Sequence, residues 1–144
     1  YCRTPSCPPA FLGPHADVGN SAVAKGCGIL GEVKNSVLSY NTQVGQGASV
    51  SYSVVMPGAV IEEGAVVRYS ILMPGTVVKA GASISYAIVA EGAVIEEEAT
   101  VGAPPSDDPD WGIAVVAGGV TVGPKAVIKP SAMIREDVKG GEQA

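Results

Sequence analysis

The chain has 144 residues, 47% hydrophobic but only 5% aromatic, with 19 glycines, 11 prolines, one Trp, one Phe, one His and a formal net charge of −5. That length suffices for one domain with a sizeable core, and an acidic balance without a basic run excludes nucleic acid and anionic membrane as partners. Aliphatic runs stay within a few residues, so no segment reads as a transmembrane span or signal peptide, and the expected location is the cytoplasm.

Residues 1–9, YCRTPSCPP, read as a proline-rich linker. The first residue is Tyr1 rather than an initiator Met, and the expectation is that a further domain precedes it in a larger polypeptide. Cys2, Cys7 and Cys27 are odd in number and form no C-x-x-C pair. Free thiols are therefore expected, with a Cys2–Cys7 bridge as the alternative and zinc excluded.

From Ala10 an apolar pattern starts, with Leu12 and Val18 preceded two positions earlier by small Ala10 and Ala16, then Val23 and Ile29. Between Ile29 and Leu38 the register shortens by about two residues, which predicts an irregular coil around Gly31–Asn35. Four contiguous 17-residue units follow: SVLSYNTQVGQGASVSY, SVVMPGAVIEEGAVVRY, SILMPGTVVKAGASISY and AIVAEGAVIEEEATVGA, over 36–103. A repeat this short means a solenoid. Within the units the aliphatics recur at spacings of six, six and five: Leu38, Val44, Val50; Val55, Ile61, Val67; Leu72, Val78, Ile84; Val89, Ile95, Val101.

Two positions before each of these stands a small residue, from Ser36, Thr42 and Ala48 to Ala87, Ala93 and Ala99. This is the hexapeptide-repeat signature. Residues two apart in a strand face the same way, so the small residue and the aliphatic point inward and the residue between them points out. Three short strands make one coil, and the coils stack about 4.8 Å apart into a triangular prism of parallel strands. Pro57-Gly58 and Pro74-Gly75 supply tight corners, with Gly47, Gly64, Gly81 and Gly92 at others.

After Val101 the pattern breaks at 103–112, APPSDDPDWG, a proline-rich acidic excursion carrying the only Trp. Trp111 reads as a packing anchor that folds back over apolar surface. The six-residue spacing resumes at Val116, Val122, Ile128 and Ile134, and 137–144, DVKGGEQA, read as a frayed tail. The organisation is thus linker 1–9, an all-β prism over 10–136 with its excursion at 103–112, and tail 137–144.

Chemistry-bearing residues are sparse. The single imidazole, His15, lies in Gly-Pro-His, where a surface turn is the simplest account. An acyltransferase built on such a prism would need it as general base. Glu62, Glu63, Glu96, Glu97 and Glu98 fall at outward turns and read as a solvated acidic edge, since carboxylates without a fixed pocket make a poor metal site. The glycines recur with the coil, and no G-x-G-x-x-G or Walker pattern encodes a phosphate cradle. No catalytic, cofactor or metal residue is assigned.

The outer faces say more. Val37, Val54, Ile71 and Ile88 line one face, and Gln43, Val60, Val77 and Val94 a second, whereas Ser49, Val66, Ser83 and Thr100 line the third. Contiguous exposed aliphatics mark docking surfaces. Val37, Val54, Ile71, Ile88, Val60, Val77 and Val94 are therefore the interface candidates, one stripe for a further domain and the other for a second subunit.

Residues 8–67 resemble the C-terminal domain of the ADP-glucose pyrophosphorylase (glucose-1-phosphate adenylyltransferase) family, most specifically through PPA-x-x-G at 8–13, VKNSVL at 33–38 and SVVMPGAVI at 53–61. The similarity runs from about Tyr1 through Ile134. Right-handed crossovers are the general preference for parallel strands, so a left-handed parallel β-helix is what the resemblance implies. It further implies a missing N-terminal Rossmann-like catalytic domain that joins ATP and glucose 1-phosphate with Mg²⁺, for bacterial glycogen or starch synthesis. The β-helix would then pack on that domain, build a homo- or hetero-tetramer and help form an allosteric site, with no catalysis or cofactor of its own. Some relatives carry arginines in the late coils and the excursion, where this chain has Ser83, Ser85, Tyr86, Asp107, Asp108 and Asp110. That departure goes against an anion site and favours a regulatory-type subunit. Arg68, Lys79, Lys125, Lys129 and Arg135 match no ligand motif. The alternatives are a hexapeptide acyltransferase using His15 and a purely structural β-helix assembly module.

Overall fold

The computed structural model describes residues 11–12, 17–19, 21–24, 26–107, 109 and 111–141. His15, Cys2, Cys7, Asp108 and Asp110 lie outside the described residues, as does the whole of the expected linker. Among the described residues there is no helix, and every named strand is two or three residues long. The strands form three seven-stranded sheets in which each strand pairs with those one coil before and after it. All of the pairings are parallel and most join residues 17 apart, as Val60 joins Gln43 and Val77. The architecture is a β-solenoid of seven turns, in keeping with a left-handed β-helix.

The core follows from the two-residue alternation. Val44, Val50, Val55, Ile61, Val67, Leu72, Val78, Ile84, Val89 and Ile95 are sealed from solvent in three inward ladders. Ala48, Ala59, Ala65, Ala82, Ala93 and Ala99 are sealed with them, because the same alternation turns them inward near the corners, where the prism narrows. The positive-φ glycines, among them Gly47, Gly58, Gly64, Gly75, Gly81 and Gly92, turn two of the corners where they were expected.

The stretch around Gly31–Asn35 corrects the expectation of irregularity. Glu32–Lys34 is a regular strand paired on both sides, with Val33 opposite Val18 and Val50. The two missing residues come out of the preceding corner, so the chain passes from Ile29 to Val33 by a shortcut through Gly31. A Cβ on Gly31 would collide with the carbonyl oxygens of Ala48 and Gly45, which is why a residue without a side chain stands there. Val33, fully buried, is the core residue that the six-residue pattern passes over.

The excursion leaves after Gly102, whose N–H still reaches Ile128 O at 2.9 Å, and returns at Ala114, whose N–H bonds Tyr86 O at 3.2 Å. The sheets close above it as though it were absent, with Thr100 opposite Val127 and Val115 opposite Ile88.

The tail also departs from expectation. Residues 137–141 do not fray but clasp the last coil. Val138 is buried, bridges Val122 in parallel, donates its N–H to Thr121 O at 2.9 Å and accepts from Gly123 N at 2.6 Å. Asp137 Oδ1 takes the Thr121 N–H at 2.8 Å. The exposed edge of the last strand on one face offers these groups, and unpaired edge N–H and C=O groups recruit any chain within reach.

Candidate interaction surface

The third corner is built differently from the glycine corners. Its turn residues are Tyr52, Tyr69 and Tyr86, held at φ of 50°, 47° and 49°, in the left-handed region that L-residues enter at a cost of about 1–2 kcal/mol. Each tyrosine N–H donates to the coil below, to Lys34 O, Ser51 O and Arg68 O at 3.1, 3.0 and 3.1 Å. The turn leaves the next N–H without a backbone partner, and a buried serine supplies one. Ser36, Ser53 and Ser70 donate Oγ to those same carbonyls and accept the N–H of Ser53, Ser70 and Ala87 one coil up, at 3.2, 3.2 and 3.3 Å. This second ladder explains why the small residue in this column is serine from Ser36 to Ser70, while the other two columns carry alanine or threonine.

The tyrosine rings stack along the prism. Tyr52 and Tyr69 are 4.8 Å apart and 1° from parallel, and Tyr69 and Tyr86 are 4.8 Å apart and 8° from parallel. Trp111 meets Tyr86 edge-on at 5.6 Å and 75°, and its Nε1–H donates to Ala103 O at 3.0 Å. Aromatic pairs contribute about 0.5–1.5 kcal/mol each beyond their burial, which offsets part of the strain at the corner. The sequence reading missed this column. Its signal was present, a tyrosine closing each of the first three repeats.

The interface candidates separate into two unlike stripes. On one face Val37, Val54 and Ile71 are 47%, 38% and 36% exposed, and Ile88 is half-buried. The residues on the far side of each core aliphatic, Ser39, Met56, Met73 and Ala90, stay in the hydrogen-bond ladder and so also face outward, while Ala117 in the same row packs against the core. No charged residue occurs in these rows from Val37 to Ala117, and the tyrosine column borders them. On the other face Val60, Val77 and Val94 are half-buried and alternate with Glu62, Lys79 and Glu96, with a Lys79–Glu62 ion pair at 3.6 Å. The remaining face carries Ser49, Ser51, Ser83, Ser85 and Thr100 around Arg68.

The other singled-out residues do not converge. Glu62, Glu63, Glu96, Glu97 and Glu98 line one corner, where Glu98 pairs with Lys125 at 3.7 Å. Among the described residues no group of three His, Cys, Asp or Glu side chains is placed to hold a metal ion. Cys27 is a buried free thiol that donates to Ser39 O at 2.9 Å, a packed core position rather than a reactive one. Among the described residues no helix is long and apolar enough to cross a membrane.

Residues 12–71 and 58–123 both match the family described as GlmU-like, C-terminal hexapeptide. The chain belongs to this family. A glucose-1-phosphate adenylyltransferase of Clostridioides difficile is 50% identical to this hexapeptide domain over 60 residues, 42% of this chain and 16% of that protein. An enzyme of the same name from Bacillus cytotoxicus is 46% identical over 59 residues, 41% of this chain and 16% of that protein. The matched part thus spans well under two thirds of either relative. A Bacillus cereus protein assigned as an acetyltransferase has a solved structure that superposes with a TM-score of 0.56 at 13% identity, covering 91% of this chain and 68% of that one. At that identity the likeness to the hexapeptide domain is one of fold.

Proposed function

We propose that this hexapeptide domain is the C-terminal assembly and allosteric domain of a glucose-1-phosphate adenylyltransferase, or of its regulatory-type subunit, in bacterial glycogen biosynthesis. The single observation that carries the reading is the 50% identity over 60 residues to an enzyme of that name. In this reading ATP and glucose 1-phosphate are joined, with Mg²⁺, in a nucleotidyltransferase domain outside this chain, in the cytoplasm where both substrates are made. The hexapeptide domain contributes no catalytic group. Its work is docking: the uncharged Val37 face, bordered by tyrosines, packs on the catalytic domain, and the Val60 face, where charges interrupt the valines, meets another subunit of a tetramer. Both faces carry the exposed aliphatic rows that mark docking surfaces.

The test is to express the complete gene product and measure pyrophosphate released from ATP and glucose 1-phosphate with Mg²⁺. Release, or its appearance only when a catalytic subunit is co-expressed, is the expected result. A gene product lacking any nucleotidyltransferase domain would sink the proposal. The acyltransferase alternative depends on His15, outside the described residues, and on a likeness that reaches only the fold.

A further inference from the structure

The Val60 face carries an ordered pattern of charge. Gln43, Val60, Val77, Val94 and Thr121 pair coil to coil in one outward row. Two residues further along the chain in each of the middle coils, Glu62, Lys79 and Glu96 make a second row on the same side. The valines and the charged residues are all half-buried. Lys79 reaches Glu62 at 3.6 Å, whereas Glu96 makes no ion pair among the described residues. The face is thus an apolar strip beside a strip of alternating sign, with one carboxylate left over.

We propose that this face is a two-fold interface between two copies of this chain, the prisms running antiparallel and Lys79 of each copy paired with Glu96 of the other. It rests on the reading in which the Val60 face meets another subunit, and it fixes that subunit as a second copy in one register. A two-fold axis brings a patch onto itself, so the pattern must complement its own image. An axis along the prism exchanges the two rows and lays Lys79 against the valines of the other copy, which buries a charge without a partner. An axis along the strands keeps valine on valine and charge on charge while reversing the order of the coils. If it passes through any of the three charged coils, the charge there meets its own image, and juxtaposed like charges oppose association. A half-coil shift removes that repulsion. Placed between the Glu62 and Lys79 coils, the axis sets Lys79 on a Glu62 that is already paired and leaves Glu96 opposite Gly45. Placed between the Lys79 and Glu96 coils, it sets Lys79 on the unpaired Glu96, Val77 on Val94 and Val60 on Thr121. This last register gives every carboxylate of the row a lysine, Glu62 its own and Glu96 that of the other copy.

The test puts single charge reversals into the complete gene product and reads its assembly by light scattering. Lys79→Glu should weaken association by roughly tenfold or more, because carboxylate then meets carboxylate, and Glu96→Lys should do the same because lysine meets lysine. Mixed in equal amounts, the two variants should assemble again, since one offers only carboxylates at these positions and the other only lysines. That recovery also shows that both variants are folded. The other half-coil register predicts none, because in it Lys79→Glu still sets a carboxylate on Glu62. A parent protein that does not associate, either single variant keeping the parent mass, or a mixture that stays dissociated would each overturn the proposal. Pyrophosphate release followed on the same samples separates the two readings. Its absence beside an intact recovery strikes the enzyme assignment alone, and its presence without recovery strikes this interface alone.

Discussion

Single residues set the tolerances of this prism. Gly31 is where a coil cuts its corner, and a methyl group there meets two backbone carbonyls that belong to the next coil. Gly31→Ala is expected to cost about 1–3 kcal/mol, the range for overpacking a tight interior. Gly75 makes the contrast, with open space around it but a φ of +72°, so Gly75→Ala should cost about 1–2 kcal/mol from backbone strain alone. Urea unfolding of both variants checks the pair, and an unaffected Gly31→Ala would show that the shortened corner can relax. The serine ladder gives a second residue-scale prediction. Ser53→Ala leaves the Ser70 N–H buried without its acceptor and should destabilise by about 1–3 kcal/mol. Ser53→Thr, which keeps a hydroxyl, should recover part of that loss in the same unfolding measurement.

At the scale of elements, two segments outside the repeat are held by few contacts and can be tested separately. The excursion is pinned where Trp111 bonds Ala103 O and covers Tyr86. Trp111→Ala should raise hydrogen exchange at the Ala103, Ser106 and Asp107 amides while the Val89 and Val116 amides beneath stay protected, because the sheet pairing does not depend on the loop. Equal loss of protection in both places would mean that the loop is part of the prism's stability. The clasp at 137–141 makes the opposite prediction. Removing residues after Glu136 deletes the acceptors of the Thr121 and Gly123 N–H groups. Those two amides should then exchange faster, with the effect fading one coil further in, as in a solenoid whose units contact only their neighbours.

For the whole molecule the decisive quantity is which face is covered in the complete protein. Val54→Asp or Ile71→Asp places a charge in the uncharged rows and should leave the stability of this domain within about 0.5 kcal/mol, as for surface changes away from structural features. In the complete protein the same changes should expose the junction between domains to limited proteolysis. Val77→Asp should instead lower the mass read by light scattering. If the two kinds of change exchange their effects, the roles of the two faces are reversed. If neither has any, neither stripe is an interface.

Much of this was legible in the residues because the rule that builds the prism is local. A small residue, an outward residue and an aliphatic in that order place a strand and its core side chain wherever they occur, so the ladders, the glycine corners and the excursion could be read without any knowledge of the partner coil. What could not be read depends on neighbours one coil away. Val33 enters the core only because a corner was shortened against Ala48 and Gly45. Tyr52, Tyr69 and Tyr86 become a stack only when coils lie in register, and the clasp at Val138 exists only because a strand edge is open beside it. The sequence by itself therefore determined the repeat, the core and two apolar stripes. Only the fold shows that one stripe is uncharged and bordered by a tyrosine column, since contacts between coils depend on register in space and not on spacing along the chain.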